Sequence, residues 1–195
     1  MLGTAFLASN DGKIATTCHV AGRSDSNLVV LRPHVSNMNQ WQDLTDTNCQ
    51  PIHVRLIEVD PVRDLAILKA EIFYSGVLPA LGSFDNLSVG DALDIYGFPH
   101  CVDGRRALTF QSAELGAKVL MASGGTKSKH AVVNIQARPG QSGSPIYSKQ
   151  TKQIAGMLIG AWAGGGSVSI NGMNIAAMHQ TTHCISAEGL REMIA

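Results

Sequence analysis

The chain has 195 residues, 45% of them hydrophobic and only 15% charged, a composition that excludes a disordered polymer and supplies a packed core. Lys plus Arg balance Asp plus Glu at 15 each, so net charge offers no attraction to nucleic acid or acidic lipid. No apolar run is long enough to span a bilayer, and the length fits one domain or two small subdomains sharing a cleft.

Strand character begins at once, with GTAFLAS (3–9), and no signal-peptide pattern precedes it. A chain that opens so abruptly reads as a fragment or as one with an upstream segment, and its compartment is not legible. The Asp11-Gly12 turn leads into GKIATTC, a strand whose end delivers His19. GRSDSN (22–27) and VSNMNQWQDLTDTN (35–48) read as loops on either side of the strand-length run NLVVLRP (27–33). IHVRLIEVD (52–60) and DLAILKA (64–70) are strand-length as well, and LPALGSFDNLSVGD (78–91) reads as a connection between two halves. DALDIYGFP (91–99), AVVNIQA (131–137), QIAGMLIGA (153–161) and MNIAAM (173–178) complete the strand-length runs. KSKH (127–130) reads as a solvated loop, and SGGTKSK and Gly164–Gly166 as mobile rim loops. Ser186 is placed to cap a terminal helix over AEGLREMIA. There is no internal repeat. Short apolar runs with regular turn signals predict an all-β sandwich or barrel.

Four cysteines, Cys18, Cys49, Cys101 and Cys184, are widely spaced with no CxxC pair, which fits two disulfides or four thiols equally. Cys18, Cys101 and Cys184 each adjoin a histidine, and His179 and His183 lie four apart, so a structural zinc site is a minor alternative to small buried hydrophobes.

The stretch RPGQSGSPIYS (138–148) crowds Gly140, Gly143 and Pro145 around Ser142. Such a segment is a tight turn that holds one hydroxyl and several N–H groups in place. A serine nucleophile needs a base, and the base needs an orienting carboxylate. No aspartate follows Asp103, which rules out the order Ser, Asp, His, and Ser144 stands where a GxSxG elbow needs glycine. The order His, Asp, Ser remains: His19 at the end of a strand, and Asp64 directly before LAIL, where an ionised carboxylate needs donors.

GTAFLASNDGKIATTCHV, RDLAILK and GQSGSP resemble, in order, the three signature blocks of chymotrypsin-fold serine peptidases, closest to the bacterial HtrA/Deg-like branch. The resemblance implies two six-stranded antiparallel β-barrels with a cleft between them and a short C-terminal helix. The first barrel would occupy residues 1–77, with its first strand missing or reduced because only Met1 and Leu2 precede the first block. The connection would be 78–91, the second barrel 92–185 and the helix 186–195. Carried over, Ser142 is the nucleophile, His19 the general base and acid, and Asp64 the group that holds the imidazole. The oxyanion hole is built from the N–H groups of Gly140 and Ser142. Gln136 to Pro139, Ile159-Gly160-Ala161 and Gly172 to Asn174 line the primary pocket, with Gln136, Arg138, Ile159, Gly160 and Ala161 as the substrate contacts. None is acidic, which points to a small or medium uncharged residue on the substrate. No metal or organic cofactor is implied, and the partner is a protein or peptide substrate, not nucleic acid or membrane.

The chain departs from the family in several places. Val20 follows the base where the digestive branch has a cysteine, so that branch's disulfide is not implied. Gln141 replaces the aspartate that pairs with a freed N-terminus, so that activation route is not expected. No PDZ-like domain follows the blocks. The competing reading is a catalytically inactive module that binds peptides in the same cleft.

Overall fold

The run LAILKA has no polar alternation, and the computed structural model explains why: as strand β5 (Leu65–Ala70) it is covered on both faces. Leu65 and Ile67 face one cluster, shared with Met157, Ile185, Leu190 and Met193 from the second half of the chain. Ala66, Leu68 and Ala70 face a second cluster, with Ile14, Ala21 and Val54. The structure describes residues 2–24, 26–162, 169–170, 173–174 and 181–195.

The first half is an antiparallel sheet of five strands. Besides β5 it holds β1 (Phe6–Leu7), β2 (Lys13–Thr17), β3 (Val29–Leu31) and β4 (Pro51–Asp60), in the order β1-β2-β5-β4-β3. The resemblance implied a closed six-stranded barrel here. Among the described residues no strand joins the β3 edge to the β1 edge, and the sheet stays open. A slot of about 360 Å³ lies there, lined by Leu2, Ala5, Val20, Val30, Leu68 and Phe98.

The second half closes. Strands β6 (Ala92–Gly97), β7 (Thr109–Ser123), β8 (Thr126–Val133), β9 (Pro145–Ser148), β10 (Gln153–Trp162) and β13 (Thr181–Ser186) form a six-stranded barrel in the order β10-β13-β8-β7-β6-β9. Leu93, Ile95, Leu115, Ile146 and Leu158 fill its interior. Strands β11 (Ser169–Ile170) and β12 (Met173–Asn174) pair with each other. Helix α2 (Glu188–Ile194) ends the chain and sends Leu190 and Met193 into the cluster behind β5. The class is all-β with a short C-terminal helix.

Several local readings are corrected. KSKH and most of SGGTKSK belong to the β7–β8 hairpin, because Lys127 and Lys129 pair with Ala122 and Leu120 in its ladder and only Gly124-Gly125 makes the turn. Lys129 binds Asp85 and Glu188 rather than water alone. Strands β7 and β13 are not legible as apolar runs. TTHCIS earns its place through Thr182, which is buried, donates to the Ile135 carbonyl and accepts from Ala137 N. Ser186 closes β13 with its hydroxyl on Ser83, and Ala187 takes the cap position of α2. Gly164–Gly166 lie outside the described residues, as does His179. All four cysteines are free thiols, with Cys18, Cys101 and Cys184 buried. Among the described residues no group of three or more metal-ligating side chains is assembled, and no helix is long and apolar enough to cross a membrane.

Because the two halves meet on one face of β5, cutting Ile67 to alanine is expected to cost about 2–5 kcal/mol. Urea denaturation should show a lower midpoint with an unchanged slope.

Candidate active site

Strands β2 and β5 run side by side as far as the pair Thr17–Leu65, and the candidate base and acid stand just beyond it. After Thr17 the chain turns into the single helical turn α1 (Cys18–Ala21), ended by Gly22. Asp64 precedes β5 in the left-handed conformation, φ 58°. A left-handed non-glycine residue needs local support, and the preceding aspartate supplies it. One Asp60 carboxylate oxygen accepts from Val62 N and Arg63 N, each at 3.0 Å. Arg63 binds Asp60 and, across to α2, Glu192. The surface ion pair of Arg63 with its neighbour Asp64 that sequence allows is thus not what forms.

Freed from Arg63, Asp64 is bonded wholly toward His19. Its backbone carbonyl accepts from Cys18 N at 3.1 Å, and one carboxylate oxygen accepts from His19 N at 2.9 Å. The other oxygen takes the imidazole Nδ1 at 2.6 Å. The bond to Asp64 raises the imidazole pKa above its ordinary value of 6.5, against the smaller opposing effect of burial. With Nδ1–H given to the carboxylate, the neutral ring keeps its lone pair on Nε2. Half of the His19 side chain is exposed, at 51%, so that nitrogen is reachable.

Ser142 sits in the turn between Pro139 and Ser144, with Gly140 at φ 93° and Gly143 at φ 90°. The four carbonyls from Pro139 to Ser142 are held. Pro139 O accepts from His100 N at 2.6 Å, Gly140 O from the Thr4 hydroxyl at 2.8 Å, Gln141 O from Ser144 N at 3.0 Å, and Ser142 O from Thr4 N at 2.8 Å. Among the described residues there are no cis peptides. In a planar trans peptide the N–H points opposite to the preceding C=O. Fixing the Pro139 and Gln141 carbonyls therefore directs Gly140 N–H and Ser142 N–H away from those partners. Neither N–H has a hydrogen-bond acceptor among the described residues.

Two glutamines brace the turn from below. Gln141 is fully buried, accepts from Arg138 N at 2.7 Å and donates to Gln111 at 2.5 Å. A neutral amide fills the place next to the serine without needing a cationic partner.

The Ser142 hydroxyl donates to the Ile159 carbonyl at 2.8 Å, and no bond joins it to His19 among the described contacts. Ile159 is the extra residue of a bulge, between the pairs Leu158–Cys184 and Gly160–His183. Of the expected substrate contacts, Gln136 and Arg138 are exposed on the loop before the turn, and Ile159 and Gly160 are partly exposed on β10. Ala161 continues β10 opposite Thr182. Beyond Met157, β10 is paired with β13 alone, so its other edge carries no strand among the described residues. Gly172 lies outside the described residues. Thr4, Gln111 and His100 are participants that sequence reasoning missed. A polar Thr4 at the head of an apolar strand was the one available signal.

Comparison with known proteins bears on the family and the fold. The family model of the trypsin-like peptidase domain matches residues 3–157. A curated relative, the probable periplasmic serine endoprotease DegP-like of Pseudomonas fulva (strain 12-X), is 28% identical over 154 residues, 75% of this chain and 26% of the relative. The chain thus spans about a quarter of that relative's length. Among solved structures, the HtrA-type protease AlgW with a decapeptide superposes with a TM-score of 0.66 at 19% identity, covering 98% of this chain and 50% of AlgW. The MamO protease domain from Magnetospirillum magneticum gives 0.66 at 15% identity, covering 98% of this chain and 87% of that one. Likeness at such identities speaks for the fold, which the chain shares with HtrA-type proteases, and the family match for descent: the chain belongs to the trypsin-like peptidase domain family.

Proposed function

We propose that the protein is a serine endopeptidase that cleaves peptide bonds through an acyl-enzyme, with Ser142, His19 and Asp64 as its triad. The observation that carries this reading is the imidazole gripped by Asp64 through both Nδ1 and the backbone N–H, which leaves Nε2 as a positioned base. A substrate strand would add to the open edge of β10 at Ile159–Ala161, a recurring mode of peptide recognition. The Ser142 hydroxyl then turns from the Ile159 carbonyl to His19 Nε2 and gives up its proton as Oγ bonds to the scissile carbon. The carbonyl oxygen, now an anion, would be met by Gly140 N–H and Ser142 N–H. On collapse the C–N bond breaks and the imidazolium returns the proton to the leaving amine. A water, deprotonated by the same imidazole, hydrolyses the ester and restores the serine. The loop from Asn134 to Gln141 carries no acidic residue, which favours an uncharged side chain next to the cleaved bond.

A second reading has one observation in its favour. The hydroxyl is bonded to Ile159 and not to His19, as in a cleft that binds peptide without cutting it. A fluorophosphonate probe separates the two, since it labels only an activated serine. Wild-type protein is expected to label, and Ser142→Ala and His19→Ala are expected not to. A folded wild type that does not label would select the binding module.

The raised His19 pKa sets the sign of the pH dependence, because only the neutral ring can accept the serine proton. The acid limb of kcat/KM should therefore rise with pH through an apparent pKa above the ordinary 6.5. Asp64→Asn, which removes the charge that raises it, should move that limb down and lower kcat by roughly 10⁴-fold.

A further inference from the structure

We propose that Thr4 is a positioning residue for this reaction, holding the Gly140–Ser142 turn in the conformation that aims its two N–H groups at the developing oxyanion. The inference rests on the peptidase reading of the same turn. Thr4 lies on the five-stranded sheet's side of the molecule, just before β1, and is almost fully buried at 3% exposure. Its hydroxyl works in both senses, donating to Gly140 O at 2.8 Å and accepting from Phe98 N at 3.1 Å. Its amide donates to Ser142 O at 2.8 Å. Its carbonyl accepts from the Thr16 hydroxyl at 2.8 Å, on the strand that ends two residues before His19. One residue is thereby bonded to the nucleophile turn, to the Phe98 segment and to the strand that delivers the base.

The geometry leaves little room for a substitute. A Cβ on Gly140 would stand 2.5 Å from Phe98 O and 2.6 Å from Cys101 Sγ, so the turn is packed directly on the segment that Thr4 also holds. Glycine, however, has the lowest torsional resistance of any residue. What prevents the Gly140 peptides from rotating is the set of bonds on their carbonyls, in which the Thr4 hydroxyl at 2.8 Å is the strong side-chain donor and the Cys101 thiol at 3.8 Å a weak one. Without the Thr4 hydroxyl, Phe98 N loses its acceptor and Gly140 O keeps only the weak Cys101 thiol, and a peptide rotation that recovers a stronger partner relieves the penalty. That rotation would turn the Gly140–Gln141 plane, take Gln141 N–H off the Arg138 carbonyl and reset ψ of Gly140 and φ of Gln141, which shifts the adjoining planes that carry Gly140 N–H and Ser142 N–H while leaving the peptide-binding edge of β10 untouched.

Thr4→Val keeps the shape and removes the hydroxyl, whereas Thr4→Ser keeps the hydroxyl. Turnover of p-nitrophenyl acetate is expected to fall in kcat on the order of 10²-fold for Thr4→Val, with KM within about threefold, and to stay within about threefold of wild type for Thr4→Ser. Unchanged kcat in Thr4→Val, a loss confined to KM, or an equal loss in Thr4→Ser would overturn the proposal. A second readout does not depend on activity. In the Ser142→Ala background, the amide ¹⁵N–¹H shifts of Gly140 and residue 142 should move in Thr4→Val and return in Thr4→Ser, and shifts identical in all three would also overturn it. If wild type neither turns over nor labels, the peptidase reading fails while the amide shifts still decide the role of Thr4. Thr4→Ala repeats the test should Thr4→Val not fold, and failure of both to fold would make Thr4 a stability residue and reject the proposal.

Discussion

A trans peptide plane has two ends, and fixing its carbonyl fixes the direction of its N–H. The candidate site of this protein depends on that constraint. Gly140 and Ser142 need no acceptor of their own to be oriented, because His100 N and Ser144 N hold the carbonyls on the far side of each plane. Donors aimed before the reaction do not have to reorganise during it, which is where their electrostatic value lies. Glycine at 140 makes this arrangement sterically accessible at φ 93°, and the surrounding bonds make it the one that persists.

Those bonds come from both halves of the chain. Thr4 reaches the turn from the five-stranded sheet, while His100 and Gln111 reach it from the closed barrel. The loop after β3 adds a further tie: the Gln42 amide pairs with both the N–H and the carbonyl of Leu108, each at 2.8 Å, and Arg106 donates to Asn48 O. Beneath them, β5 and α2 lock the halves together through Ile67, Leu190 and Met193, and the Arg63–Glu192 pair ties the turn carrying Asp64 to the same helix. A nucleophile on one half can face a base on the other only if such contacts fix the spacing between them.

The blocks GTAF, RDLAIL and GQSGSP were legible because each combines residues that are costly outside a special setting. A carboxylate before a buried strand needs donors, and a Gly-Pro turn around one serine needs a reason. From these the fold class and the approach of Asp64 to His19 could be read. The bracing residues could not. Thr4, His100 and Gln111 act through partners 30 to 136 positions away along the chain, and the His100 bond joins one backbone atom to another, which carries no sequence signal. Polar strands such as β13 were also hidden, since their burial depends on hydrogen bonds like those of Thr182 rather than on apolar periodicity. The closed barrel of the second half was legible through the resemblance. The bond from Ser142 to Ile159 was not, because a bulge carbonyl has no signature in sequence.

The most direct measurement is a crystal structure of the wild-type protein after reaction with a fluorophosphonate. The account predicts phosphorus on Ser142 Oγ, its free oxygen about 3 Å from both Gly140 N and Ser142 N, and the Pro139 carbonyl still on His100 N. An adduct whose oxygen misses those two N–H groups, or a Pro139–Gly140 peptide found turned over, would contradict it.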